Sequence, residues 1–206
     1  MINIQFFGGR GGDGGRGGGG GGSGKVLNEE DSQIWSEDPE IYQRLTDPLR
    51  REAALDLLDE QGYTREEAQE LLDFANDIRN RAETQTVNKS TLYRGERFNS
   101  LSAAQSKYKP GAEVTTTQLT SYATDKSLAK TYATMPGTKV SVVITNTSTR
   151  GRSVGLETHH YGDAKGVREI IVPKGMTSKV KSTRFDKATN TLYVAMENSA
   201  TPRKRR

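Results

Sequence analysis

Leu119-Thr120-Ser121-Tyr122-Ala123-Thr124-Asp125 is a run of polar β-formers ending on an aspartate, and Ser127-Leu128-Ala129-Lys130-Thr131-Tyr132-Ala133 follows it as a short helix. Asp125 is the expected N-cap, because a short carboxylate accepts from the free N–H groups of a first helical turn. Thr115 to Thr117, Thr120 and Ser121 make the strand before it unusually rich in hydroxyls. Moving outward, Leu92-Tyr93-Arg94-Gly95-Glu96 sets an arginine and a glycine at a strand end. A guanidinium there pairs with phosphate, and a bare glycine lets a ligand approach the backbone. In the other direction, Val167-Arg168-Glu169-Ile170-Ile171-Val172-Pro173-Lys174-Gly175 puts a glutamate where an apolar strand begins, before a turn. Each stretch taken singly also has an ordinary reading: a surface salt bridge beside a bulge glycine, a solvent-facing strand, and an edge charge that discourages strand pairing.

The surrounding chain divides by pattern. Residues 8–24 are nearly all glycine, which read as a flexible tether. Ile2, Ile4, Phe6 and Phe7 ahead of it read either as a small docking element or as a disordered terminus. Residues 38–83 read as helical. Leu49, Ala53, Leu57 and Leu58 recur at helical spacing up to Gly62. Thr64 and Glu67 form a capping box opening a helix with Ala68, Leu71, Leu72, Ala75 and Ile78 on one face. Strands are expected over 90–95, 112–121, 138–146, 152–156, 167–173, 177–184 and 191–197. The expected organisation is a Gly-rich basic tail (1–25), one catalytic domain (26–198) with a helical segment (38–83) and a sheet core (90–197), and a basic tail (199–206).

Charge and composition limit the chemistry. Net charge is +4, with +2 up to Lys25 and +4 over 203–206, which leaves the body at −2. Basic ends suit weak contact with nucleic acid or an acidic protein, or simply solubility. The absence of cysteine excludes disulfides, thiolate catalysis and Cys-ligated zinc. Only His159 and His160 offer imidazole, and neighbours in sequence rarely converge on one metal, so no metal is expected. No apolar run is long enough to span a membrane, and the first eight residues lack the pattern of a secretory signal.

In their order, the three stretches resemble the ADP-ribosyltransferase superfamily in its Arg-Ser-Glu branch of toxin-like mono-ADP-ribosyltransferases. The resemblance covers roughly Ser90 to Glu197. Residues 119–125 with Leu128-Ala129 keep the spacing of that branch's Phe-Thr-Ser-Thr-Ser-Leu-Asp run and its following helix. Glu169 stands four residues before Pro173, as the branch's catalytic glutamate does. The resemblance implies an α+β fold of two small packed, mainly antiparallel sheets flanking an NAD cleft, preceded by a helical segment. It implies a glycosyltransferase that uses NAD as substrate and no metal. Arg94 would grip the NAD phosphates and Gly95 would hold the nicotinamide carboxamide through its backbone. Ser121 would position Glu169, and Glu169 would bind the ribose 2′-hydroxyl and stabilise the cationic sugar as nicotinamide leaves.

Two departures narrow this expectation. Tyr122 and Ala123 occupy the last two positions of the family's Ser-Thr-Ser triplet, and Val167 stands where arginine-modifying members carry a glutamate. Valine neither binds nor activates a guanidinium, so, unless Glu157 or Asp163 reaches the site, the expected acceptor is a macromolecule, a host protein first, modified at a residue other than arginine. The acceptor loop, 158–166, offers His159, His160, Tyr161, Asp163 and Lys165. One histidine could act as a general base, or the whole set could be an ordinary polar loop. Water as acceptor, and an inactive transferase fold serving as a virion structural or binding protein, stay open as alternatives. The opening Met-Ile-Asn-Ile-Gln-Phe-Phe-Gly-Gly-Arg-Gly-Gly resembles N-termini of proteins encoded near tailed-phage head genes. That likeness implies a bacteriophage protein acting in the host cytoplasm, packaged in the virion or associated with head proteins.

Overall fold

The computed structural model describes residues 26–158 and 169–202. It opens on a helical layer. Helix α1 (Glu29–Glu37) is capped by Asn28, whose side chain accepts from Asp31 N at 2.7 Å. Helix α2 (Pro39–Leu45) starts on a proline, where the missing N–H costs nothing, behind the Asp38 cap. Helices α3 (Arg51–Glu60) and α4 (Arg65–Thr84) follow. The expected capping box opens α4: Glu67 N donates to Thr64 Oγ1 at 3.2 Å, and Thr64 N donates to Glu67 Oε2 at 2.7 Å.

Helix α1 lies ahead of the expected helical segment. Its nine residues carry apolar side chains only at Ile34 and Trp35, too few to show a period. The buried stripe of α3 is also shifted from the expected one. Ala54 and Leu58 are buried, whereas Leu49 sits in the turn before the helix, 92% exposed. The turn over Asp47 to Arg50 takes Leu49 out of the helical period.

Among the described residues ten strands follow: β1 (Thr86–Val87), β2 (Thr91–Phe98), β3 (Glu113–Thr115), β4 (Thr120–Ala123), β5 (Val140–Ser148), β6 (Ser153–Val154), β7 (Leu156–Glu157), β8 (Glu169–Val172), β9 (Thr177–Asp186) and β10 (Thr191–Asn198). Eight of them run in the order β3-β9-β10-β5-β2-β4-β8-β7, and β1 pairs with β6 in a separate two-stranded ribbon. The pairings between these strands are antiparallel except β10 with β5, and Val26 adds an isolated parallel bridge to Glu157. The eight-stranded order has a narrow waist. Strands β2 and β5 are paired along their whole length, but β2 meets β4 only at Tyr93↔Ala123. Two halves, β3-β9-β10-β5-β2 and β4-β8-β7, therefore join at one residue pair.

The expected strand over 112–121 is two strands in opposite halves, β3 on β9 and β4 on β8. Thr116 causes the break. Its hydroxyl donates to Pro173 O at 2.7 Å and accepts from Met176 N at 2.9 Å, while its carbonyl accepts from Gly175 N at 2.8 Å. The chain is thereby clamped to the turn after β8 and crosses from one half to the other. The expected strand over 152–156 likewise splits at Gly155, whose φ of +152° departs from a strand.

The helical layer packs on the β4-β8-β7 half, burying Trp35, Tyr42, Leu71, Ala75 and Ile78 against Leu119, Leu156 and Ile171. Lys174 Nζ to Asp47 (3.3 Å) and Gln118 Nε2 to Gln43 (2.6 Å) tie the layer to the end of that half. Short helix α5 (Leu101–Lys107) was not legible in the sequence. Ser100 caps it, and Tyr108 after it packs with Val142, Ile144 and Val194 on the larger half. Helix α6 (Lys126–Ala133) is capped by Asp125 as expected, through Ser127 N at 2.6 Å and Leu128 N at 3.3 Å.

Candidate active site

Register assigns the faces. Ala123 pairs with Glu169 and Ser121 with Ile171, and Tyr93 pairs with Ala123. Antiparallel partners share a face, so Tyr93, Ala123, Ser121, Ile171 and Glu169 lie on one side of the sheet. The helical layer covers Ile171 on that side. Helix α6 covers the neighbouring β2 on the same side, at Gly95. Glu169 begins β8 between these two coverings.

The Glu169 carboxylate accepts from Trp35 Nε1 at 3.2 Å. Trp35 is 0% exposed, and its ring stacks on Tyr42 with centroids 5.8 Å apart. The donor is therefore held by the helical layer. From the α6 side, the Tyr132 phenol is pushed up to about 12, first by burial and then by the charge of Glu169. The Tyr132 hydroxyl in this corner is therefore neutral at ordinary pH. Thr158 fixes the Glu169 backbone: Thr158 N donates to Glu169 O at 2.9 Å, and Glu169 N donates to Thr158 Oγ1 at 3.2 Å.

Arg94 leaves β2 on the opposite side from Tyr93, but its guanidinium reaches across the waist. Nη1 donates to the Ser121 carbonyl at 2.7 Å, and Nε donates to Glu96 Oε1 at 3.1 Å. The other Glu96 oxygen accepts from Lys107 Nζ at 2.8 Å and from the Tyr108 hydroxyl at 2.7 Å. Burial alone would raise the Glu96 pKa. Arg94 and then Lys107 outweigh burial and hold it below the usual carboxylate range. The Tyr108 phenol is pushed up strongly, by burial first and then by Glu96. The guanidinium is aimed by this cluster and remains about a third exposed.

The structure thus sets Arg94, Ser121 and Glu169 on the three adjacent strands β2, β4 and β8. Ser121 meets Arg94 through its carbonyl, and the fold brings the Trp35 indole N–H to Glu169 Oε1. Gly95 has a packing reason to be glycine. A Cβ there would stand 2.7 Å from Ala133 N and 3.1 Å from Tyr132 Cβ, and closer still to Ala129 O. Tyr122, one of the departures from the family pattern, is a core residue on the opposite face, packed with Leu92, Ile170 and Val172. Its phenol is pushed up by burial. Ala123, the other departure on β4, stands directly across from Glu169 and is buried. His159, His160, Tyr161, Asp163, Lys165 and Val167 lie outside the described residues.

Sequence reasoning missed Trp35, Glu96, Thr158 and Tyr132. The one available signal was that Trp35 is the only tryptophan in the chain. Among the described residues no group of three or more His, Asp or Glu is placed to hold a metal, and no helix is long and apolar enough to cross a membrane.

No protein-family model matches the sequence, and no curated protein matches it. Solved structures do match. The Vis toxin, an ADP-ribosyltransferase from Vibrio splendidus, superposes with a TM-score of 0.53 at 17% identity, over 84% of this chain and 74% of that one. The structure of Vis in complex with agmatine gives 0.53 at 17% identity, over 83% and 73%. The ATR domain of Salmonella SpvB gives 0.50 at 14% identity, over 83% and 98%. The chain has an ADP-ribosyltransferase-like fold: a helical segment, an eight-stranded sheet and a two-stranded ribbon.

Proposed function

We propose that the chain is an NAD-dependent mono-ADP-ribosyltransferase. The observation that carries this is Glu169, a carboxylate held by a buried indole N–H at the start of β8 in a fold of this kind. In the proposed reaction the bond between ribose C1′ and the nicotinamide nitrogen breaks. Its electron pair leaves with nicotinamide, and positive charge develops on the ribose. A fixed carboxylate stabilises that charge more in the transition state than in the ground state. Arg94, aimed by Glu96 and the Ser121 carbonyl, would pair with the NAD phosphates. Ser121, on the Glu169 face, would contact the ribose. The acceptor nucleophile bonds to C1′ and gives up its proton, with His159 or His160 as the candidate base. Val167 supports a macromolecular acceptor group other than arginine, a host protein being the first candidate. The resemblance of the N-terminus to proteins encoded beside phage heads extends the proposal to a phage-encoded protein acting inside an infected bacterium.

The test is incubation with labelled NAD and bacterial lysate. Label should pass to a macromolecule, and Glu169→Gln should slow transfer by about a hundredfold or more. Absence of transfer, or a Glu169→Gln protein as active as the parent, rejects the reading. Val167 also favours a second reading, water as acceptor. Nicotinamide release at full rate without lysate would select it. An inactive transferase-fold virion protein would bind no NAD by calorimetry and would co-purify with capsids.

A further inference from the structure

Glu169 takes a side-chain donor from a helix 134 residues earlier in the chain. An indole N–H only donates, so the ring is suited to a carboxylate and cannot turn to accept. It is also a polar group that needs a partner when buried. Trp35 is fully buried, and its ring is fixed through a chain of aromatics. It stacks on Tyr42, and Tyr42 meets Phe74 edge-on at 5.2 Å. Helices α1, α2 and α4 thus contribute to the direction of this one N–H. Across the sheet the residue paired with Glu169 is Ala123, which has no hydroxyl to offer.

We propose that Trp35 is a positioning residue for Glu169: the helical layer, through this indole, sets the carboxylate rotamer that faces the ribose. The inference rests on the ADP-ribosyl transfer reading above and assigns that site a component on α1. Losing this donor removes one fixed restraint on the carboxylate without removing the carboxylate itself. Binding of NAD through Arg94 survives, and the step that needs an oriented charge slows.

Two measurements test this. Trp35 is the only tryptophan, so an amide-correlation NMR spectrum of the whole chain shows a single indole cross-peak. Glu169→Ala should move that peak and speed its exchange with water. Trp35→Phe, which keeps a ring against Tyr42, should lower kcat for nicotinamide release about tenfold and leave KM for NAD within about twofold. Combining Trp35→Phe with Glu169→Ala should cost no more than Glu169→Ala alone. An indole peak indifferent to Glu169→Ala overturns the proposal, and so does parental kcat in folded Trp35→Phe. If Trp35→Phe fails to fold, the peak in Glu169→Ala still decides, because that protein keeps Trp35. A parent that never cleaves NAD rejects the proposed function instead, and the indole peak then separately decides whether Trp35 holds Glu169.

Discussion

Gly95→Ala gives a sharp prediction because the obstruction is backbone. A methyl built at Gly95 stands 2.7 Å from Ala133 N, so α6 must retreat by about 0.7 Å there to restore ordinary contact, and further at Ala129 O. No rotamer change relieves this, since neither obstructing atom is a side chain. Gly95 has an ordinary strand conformation, so alanine by itself would gain about 0.5–1 kcal/mol in the unfolded-chain balance. Overpacking of about 1–3 kcal/mol opposes it, and immovable backbone favours the upper half of that range. The expected net loss is about 2 kcal/mol, a fall in Tm of about 4–8 °C for a chain of this size. Thermal unfolding followed by circular dichroism measures it. Ala129→Gly should not rescue the variant, because the carbonyl remains. A Gly95→Ala protein that melts at the parental temperature would refute the close approach of α6 to β2 on which the shape of the site depends.

Glu96→Gln removes the charge that aims Arg94 and should destabilise the protein by about 1–2 kcal/mol at pH 7. The Glu96 pKa lies below its ordinary 4.5 in the fold. Its contribution is therefore complete above pH 4.5 and lost as pH falls through the lower folded value, so urea midpoints of parent and variant should converge in acid. Tyr132 behaves with the opposite sign. Its phenol titrates near 10 in the unfolded chain and is pushed up to about 12 in the fold, so the parent loses stability between pH 10 and 12. Tyr132→Phe should flatten the Tm profile across that window, and a parallel profile would contradict the burial of the hydroxyl beside Glu169. Thr116→Val removes both hydroxyl bonds to the turn after β8 and should cost about 2 kcal/mol, read as a lower urea midpoint at constant slope.

Local signals in the chain were reliable where the physics is local. The Thr64–Glu67 box and the Asp125 cap are contacts within three residues, so spacing alone reveals them. The buried stripe of α4 follows from a 3.6-residue period. Helices α1 and α5 were illegible for the converse reason, having too few apolar residues to show a period. The hydroxyl-rich run over Thr115 to Ser121 looked like one strand because threonine favours extended backbone on either side of a break. The break itself is a bond between Thr116 and a turn almost sixty residues later.

The same division runs through the site. The order Arg94, Ser121, Glu169, each on its own strand, is written in the sequence, as are the departures at Tyr122, Ala123 and Val167. Propensity and spacing act over a few residues and place each group on its element. The packing of α1–α4 and α6 decided everything that passes between elements. It turned Trp35 toward Glu169, it required glycine at position 95, and it brought the Arg94 guanidinium across the waist to the Ser121 carbonyl. Those contacts join residues 27 to 134 positions apart in the chain. Their distances follow from how whole faces bury against one another, which no local preference encodes.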